Sequence, residues 1–397
     1  MHFRTYPRIY FELIFIAFSI MMGMFIATSF LPIFAEDLDP SRTLVGMVVS
    51  AWFLSRVFVE LPAGILSDRI GRKKLLISGI GFSALGSFLC SQAVDIYVLI
   101  IGRSVWGLGA ALFFTNNTAL IIDLFDPKIR GRALGTFQSA EFIGSFLGLP
   151  IGGYLTGLFS FRDIFFFSLA FSLGPLALAL VSRSFRFKEA RDRSKKSPSI
   201  GNVVASLSNL GIAIACMGAF TRMFVKQGIL STVLELHLNK DLGIPLTEIG
   251  IILSLGTAGY VIATASSGFL CDRFGRASVL MSGFLIDAAS LAIFTSITGI
   301  ETFMAFSFFQ GLGEGIVFTG LIVLLSDMAP PSARGGAIGL YRTFQDIGGF
   351  IGPLFFMIIY VSTSSQVAFL GAAAINVVNV IILYLARGRL SMPRENI

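Results

Sequence analysis

The chain has 397 residues, 55% of them hydrophobic and 13% charged, with a mean hydropathy of +0.82. That balance excludes a water-soluble globular protein, whose surface needs far more polar area, and leaves a multi-span membrane protein. The formal net charge of +7 would suit nucleic acid, but the basic residues are spread over many short segments and form no single patch.

A helix needs about 20 mostly apolar residues to cross roughly 30 Å of hydrocarbon. Polar breaks divide the chain into twelve such runs: 9–34, 43–66, 75–94, 96–124, 133–158, 163–184, 209–236, 247–270, 278–298, 300–328, 336–360 and 366–387. They are too long, and too uniformly apolar, for barrel strands. The first run follows Arg4 and Arg8 but ends at Leu31-Pro32 with no small-residue cleavage site, so it reads as a span and not a leader. Most of the 30 Lys and Arg lie in the even-numbered connections and at the ends, whereas the opposite connections hold only Arg42, Arg162 and Lys240. The positive-inside rule therefore expects both termini and the central loop in the cytoplasm. Cys90, Cys216 and Cys271 fall in or beside apolar runs and read as packing residues; with His2 and His237 as the only histidines, no metal site is expected.

The segment Gly64-Ile65-Leu66-Ser67-Asp68-Arg69-Ile70-Gly71-Arg72-Lys73-Lys74 returns 204 positions later as Gly268-Phe269-Leu270-Cys271-Asp272-Arg273-Phe274-Gly275-Arg276. In the same register Gly107 and Gly109 return as Gly311 and Gly313, Asp123 and Arg130 as Asp327 and Arg334, and Gly144 and Gly148 as Gly348 and Gly352. Six spans separate the copies, so both have one orientation, a parallel repeat about an axis along the membrane normal. The expected organisation is a six-helix bundle over 1–184, a basic linker over 185–208 and a second six-helix bundle over 209–397. The stretch Ser182–Ser199 around the start of the linker, with seven cations between Arg183 and Lys196, is a topology signal or an anionic-lipid contact.

At these residues the chain resembles the major facilitator superfamily. Gly64-x-Leu66-x-Asp68-Arg69-x-Gly71-Arg72-Lys73 is similar to its loop between spans two and three. Leu99-x-x-x-Arg103-x-x-Trp106-Gly107-x-Gly109 is similar to its fourth-span motif, with Trp106 where glutamine is usual; the second half has that glutamine as Gln310. The resemblance implies an all-α integral membrane protein of twelve transmembrane helices in two pseudo-symmetric six-helix bundles, most like the twelve-span drug:proton antiporters. It also implies a gating role for Gly64, Asp68, Arg69, Gly71, Arg72, Lys73, Gly268, Asp272, Arg273, Gly275 and Arg276. Asp68 would accept hydrogen bonds at the start of span eleven, near Gly335–Gly336, and Asp272 at the start of span five, near Gly131–Ala133. Asp123 would pair with Arg69 or Arg130.

A charge at mid-membrane costs about 2.5–3.5 kcal/mol on insertion scales, so each needs a partner or a wet cavity. Arg56 and Glu60, four apart on one helix face, are expected to pair. Asp287, on a peripheral span, reads as a satisfied packing residue. Glu141, Glu314 and Asp346 are the candidate proton carriers, since a carboxylate in a partly apolar cavity can load and release a proton. Gln345 replaces the acid at the repeat equivalent of Glu141. Arg103 either tunes a carboxylate, as the resemblance implies, or bonds helix to helix. Arg222, Lys226 and Arg342 either bind an anionic headgroup or are neutralised by Glu314 and Asp346. Thr28, Asn116, Asn117, Gln138, Gln310 and Gln345 complete the candidate substrate-binding set.

Gly144-Ser145-Phe146-Leu147-Gly148-Leu149-Pro150-Ile151-Gly152-Gly153 looks like the fifth-span motif of the family's antiporters, with Leu149 inserted before the proline. The function expected is secondary active transport of a small organic molecule, as proton-coupled export of hydrophobic or amphipathic compounds. An importer or facilitator of an organic anion is a second reading, and a non-transporting membrane receptor a third. An enzyme is not expected, for no nucleophile–base pair appears. The remaining expectations are no cofactor beyond a coupling proton, no nucleic-acid partner, a monomer in the bilayer, and a cell inner (plasma) membrane location.

Overall fold

Glycine sets two sharp turns among the described residues. Gly71 (φ 104°, ψ 141°) and Gly275 (φ 85°, ψ 147°) each end one long helix and start the next, with no residue between. L-residues avoid that backbone region, so only glycine reverses the chain there without strain. The charged hairpin of the sequence is thus a single residue wide.

The computed structural model describes residues 6–28, 30–39, 42–186, 206–329 and 334–390, less the side chains of 61, 64, 65, 68, 69, 122, 127, 128, 130, 131, 206, 334 and 335. The described residues contain helices and no strand. The first unit, Met1–Ser197, holds α1 (Arg8–Thr28), α2 (Val45–Ile70), α3 (Arg72–Ser91), α4 (Ile96–Leu124), α5 (Pro127–Thr156) and α6 (Phe161–Val181). The second, Pro198–Ile397, holds α7 (Leu210–Asp241), α8 (Leu246–Phe274), α9 (Arg276–Phe294), α10 (Ile300–Met328), α11 (Arg334–Ser362) and α12 (Ser365–Leu390). Ten of the described helices are long and apolar enough to cross a membrane. Large apolar side chains such as Phe58 (69% exposed) and Leu385 (78%) lie on the outside, as lipid rather than water requires.

One expectation needs correction. The run 9–34 is not one helix: α1 stops at Thr28 and a short helix, Leu31–Leu38, follows with Pro32 in its first turn. Proline cannot donate to a continuing helix but suits the start of a new one, so the break falls just before it. The basic linker lies largely outside the described residues.

Caps fix the other starts. Asp95 accepts from the Val98 amide at 2.9 Å before α4, Ser160 and Asp163 form a capping box at α6, and Asn209 accepts from the Gly211 amide before α7. Each unit pairs its helices the same way: α3 on α4, α2 on α4, α1 on α5 and α3 on α6 return as α9 on α10, α8 on α10, α7 on α11 and α9 on α12. Small residues set these seams, as they do between membrane helices generally. A Cβ at Gly79 would lie 2.6 Å from the Phe113 nitrogen, and one at Gly109 2.5 Å from the Ser83 nitrogen. Their counterparts Gly283 and Gly313 face α10 and α9 as closely, Gly313 at 2.8 Å from the Asp287 nitrogen.

Candidate functional site

The charged residues that sequence places inside the spans resolve into distinct groups within each unit. In the first, Arg56 pairs with Glu60 at 2.8 Å, as their spacing predicts, and its guanidinium stacks 4.6 Å from the Trp52 ring. Arg103 is buried, 5.4 Å from the Trp106 ring, and its Nε and Nη1 have no hydrogen-bond partner. Asn116 and Asn117 sit fully buried in mid-α4; Asn116 donates to the Leu112 carbonyl, and neither amide atom of Asn117 has a partner. Thr28 and Glu141 are half-buried and Gln138 exposed, and Glu141 makes an interaction of its own.

At the helix ends Asp123 pairs with Arg72 at 2.6 Å, and Arg72 also donates to the Ala119 carbonyl. The Gly71 turn puts Arg72 first in α3, beside the end of α4; the pairing with Arg69 or Arg130 expected from sequence lies outside the described side chains. Lys73 donates to the Ser184 carbonyl at 3.0 Å. The second unit copies this corner, with Arg276 to Asp327 at 2.7 Å and to Asp272 at 3.1 Å. Arg273 stacks on Phe274. Of the gating set, the side chains of Asp68, Arg69 and Arg130, and the surroundings of Gly64, lie outside the described residues; Gly268 sits in α8 with open space beside it.

In the second unit α7 and α10 converge on one carboxylate. Glu314 accepts from Arg222 Nη1 at 2.5 Å and from Lys226 Nζ at 2.9 and 3.0 Å. Arg222 and Glu314 are buried, while the Lys226 side chain stays 32% exposed. Phe318 lies 4.9 Å from the Arg222 guanidinium and the Tyr260 ring 5.0 Å from the Lys226 ammonium. Of the two readings of these cations, neutralisation by Glu314 describes the geometry for Arg222 and Lys226. Arg342 and Gln345 are half-buried on α11, and Asp346 is buried there with an interaction of its own.

Behind this group Asp287 accepts from Gln310 at 3.0 Å and from Asn376 at 2.8 Å, tying α9, α10 and α12 together. Asp287 is the satisfied residue its peripheral span suggests. Gln310 is buried with its amide nitrogen engaged by Asp287 rather than presented to a ligand. The repeat explains the tryptophan in the other half. Ser83 and Trp106 hold the positions of Asp287 and Gln310 there, and a Cβ at Gly86 would lie 2.6 Å from Trp106 Cβ, so an aromatic seam replaces a polar one.

Sequence reasoning missed the widened part of α7. Lys226–Val233 and His237–Asp241 are π-helical, with Thr232 Oγ1 reaching back five residues to the Gln227 carbonyl at 2.8 Å. Hydropathy carries no trace of such turns, which cluster at functional sites. It also missed buried Glu235, whose Oε2 has no partner, and the chain His237–Asp241–Tyr360 at 2.8 and 2.9 Å. Histidine four residues before aspartate was the one available signal for the latter. Among the described residues no group of acids, cysteines and histidines could hold a metal.

Long apolar helices in two like-paired sets, charged corners and buried ion pairs define a polytopic helical membrane protein. The family profile described as Major Facilitator Superfamily matches residues 13–225 and 209–396, and the chain belongs to that superfamily, whose members are transporters and not enzymes. It is 25% identical over 349 residues to Multidrug resistance protein 1 of Bacillus subtilis (strain 168), covering 86% of each chain. It is also 25% identical over 393 residues to Multidrug resistance protein MdtG of Enterobacter lignolyticus (strain SCF1), covering 96% of this chain and 92% of that one. Among solved structures, a point mutant of the nucleoside transporter NupG superposes with a TM-score of 0.81 at 15% identity over 95% of this chain and 99% of that one. The human organic anion transporter MFSD10 (TETRAN) superposes at 0.70 with 14% identity over 95% and 99%. These structural likenesses establish the fold.

Proposed function

We propose that this transporter exports hydrophobic or amphipathic small molecules in exchange for protons, by alternating access of two six-helix bundles of parallel orientation whose termini both face the cytoplasm. The observation that carries the reading is the α1–α5 seam. Gly144, Gly148 and Gly152, the antiporter-like fifth-span glycines, lie against the carbonyls of Phe18, Met22 and Ile26, the last two at 2.8 and 2.5 Å from where a Cβ would stand. A seam of backbone on backbone has no polar side chain to admit water or ions, so it supports a bundle that moves as one body. The multidrug-resistance names of the relatives support the same direction and cargo class.

The polar residues then divide by role. Glu141 and Asp346, acids on the repeat-related helices α5 and α11, are assigned as proton carriers; Glu314, already holding two cations, is assigned as their counter-ion. Arg103 is assigned as the charge that tunes proton transfer in the first bundle. Thr28, Asn116, Asn117, Gln138, Arg342 and Gln345 supply polar contacts to cargo. The test uses inside-out membrane vesicles with an imposed pH gradient, acid inside, and a panel of hydrophobic dyes. Dye accumulation that stops when the gradient is collapsed, and is lost in Glu141→Gln, is the expected result. Accumulation indifferent to the gradient overturns antiport, and no accumulation of any dye overturns export.

A further inference from the structure

Arg222, Lys226 and Glu314 do more than cancel one another. Two cations contact one carboxylate, and among the described residues no second carboxylate forms an ion pair with either. Asp287, within electrostatic range of Arg222, spends both oxygens on Gln310 and Asn376. Counting only the groups in contact leaves one cation over, a charge that the carboxylate of Asp287 can offset from a distance.

The donors around it are also unspent. Arg222 is 5% exposed and its Nε has no hydrogen-bond partner; the Tyr341 hydroxyl, 3% exposed and within electrostatic range of Arg222, has none either. Buried donors are normally paired, so two orphans beside a cation that stays reachable indicate a ligand. The aromatic faces of Phe318 and Tyr260 flank the cations, and Lys226 remains reachable. The π-helical stretch begins at Lys226 itself.

The internal repeat shows that the fold does not require this group. Gly348 and Gly352 of α11 sit on the carbonyls of Phe220 and Phe224, as Gly144 and Gly148 of α5 sit on those of Phe18 and Met22. Measured by that seam, α7 runs 202 positions after α1, not 204, and Arg222 and Lys226 correspond to Ile20 and Met24. Glu314 corresponds to Ala110, since Gly313 and Gly109 occupy matching seams. The first unit builds the same helix pairs with three apolar side chains. Replacing a buried ion group by apolar packing is often neutral or stabilising, so packing alone gives no reason for the charges.

We infer that Arg222 and Lys226, with Glu314 as resident counter-ion, form an anion subsite that takes the carboxylate, sulfonate or phosphate group of an amphipathic molecule, whose apolar part lies along Phe318 and Tyr260. Its service as a cargo site rests on the transport reading above; anion binding itself does not. The same chemistry describes a free organic anion and an anionic lipid headgroup.

The test titrates 1-naphthoate, by calorimetry, into the purified full chain in phosphatidylcholine nanodiscs, with neutral 1-naphthamide as control. Wild type binds naphthoate in preference to the amide. Lys226→Gln weakens naphthoate binding about tenfold, and Glu314→Gln, which removes the competing carboxylate, tightens it by a similar factor. A merely structural ion group predicts loss in both. If Glu314→Gln does not fold, Lys226→Arg decides by retaining the binding that Lys226→Gln loses. Equal binding of acid and amide, or no effect of Lys226→Gln, overturns the site. Phosphatidylglycerol in the discs lowers naphthoate affinity if a lipid headgroup is the natural occupant and leaves it unchanged if a free anion is; either supports the site. Export of neutral dyes without naphthoate binding overturns the anion subsite alone, and naphthoate binding without transport of any compound overturns export alone.

Discussion

Arg276 Nε donates to Asp327 Oδ2 at 2.7 Å, and the contact is a copy: Arg72 meets Asp123 at 2.6 Å, 204 positions earlier in each partner. A repeat detected as spelling is thus a repeat of a specific ion pair that fastens the start of one helix to the end of the next.

The two copies differ in exposure, and so in strength. Arg276 and Asp327 are 28% and 22% exposed, whereas Asp123 is 47% exposed. A double-mutant cycle with Arg276→Gln and Asp327→Asn should give a coupling of about 1 kcal/mol in detergent unfolding, and the Arg72/Asp123 cycle less, since solvent screens it. Equal couplings would show that exposure does not govern these corners.

Gly275→Ala should lower the unfolding midpoint, at a cost of about 1–3 kcal/mol, although a Cβ there would meet nothing within 4 Å. The cause is the backbone, at φ 85°. Gly268→Ala, also in open space but inside α8 with an ordinary φ, is the control and should leave the midpoint unchanged or raise it. Equal losses at the two positions would contradict the turn assignment.

Gly148→Ala should destabilise the first unit by about 1–3 kcal/mol, because the added Cβ would stand 2.8 Å from the Met22 carbonyl oxygen and 2.9 Å from Phe25 Cβ. Gly135→Ala in the same helix meets open space and should be silent. Thermal unfolding of the two variants checks the contrast.

Asn376→Leu strips one donor from buried Asp287 and should cost about 1–3 kcal/mol of stability. Transport per folded molecule should not change, because the network lies behind the cation pair as a brace. Altered substrate preference in Asn376→Leu would move Asp287 into the binding set.

Much of this fold was legible because the membrane leaves few choices. Apolar length and charge placement give spans to within a few residues, and Arg56 with Glu60 was readable from spacing alone. The Thr28–Leu31 break was written in Pro32 but submerged in a run of uniform hydropathy. The assignment of Asp123 to Arg72 needed the Gly71 turn, which brings the start of α3 beside the end of α4. Contacts across long separation were harder to read: nothing local links Asp287 to Asn376 until helix pairing is known, and Glu314 was legible only as one of two candidate partners for Arg222. The two-residue slip of α7 against α1 is invisible to a fixed-offset comparison, and only the glycine seams expose it.

The most direct test of the central claim, that cargo and protons exchange through this chain, uses purified protein in liposomes loaded with a pH-sensitive dye. Addition of a hydrophobic dye substrate to wild-type liposomes should dissipate an imposed pH gradient, and Glu141→Gln liposomes of equal protein content should hold theirs. A gradient undisturbed by substrate in wild type, or dissipated equally in the variant, would contradict the account.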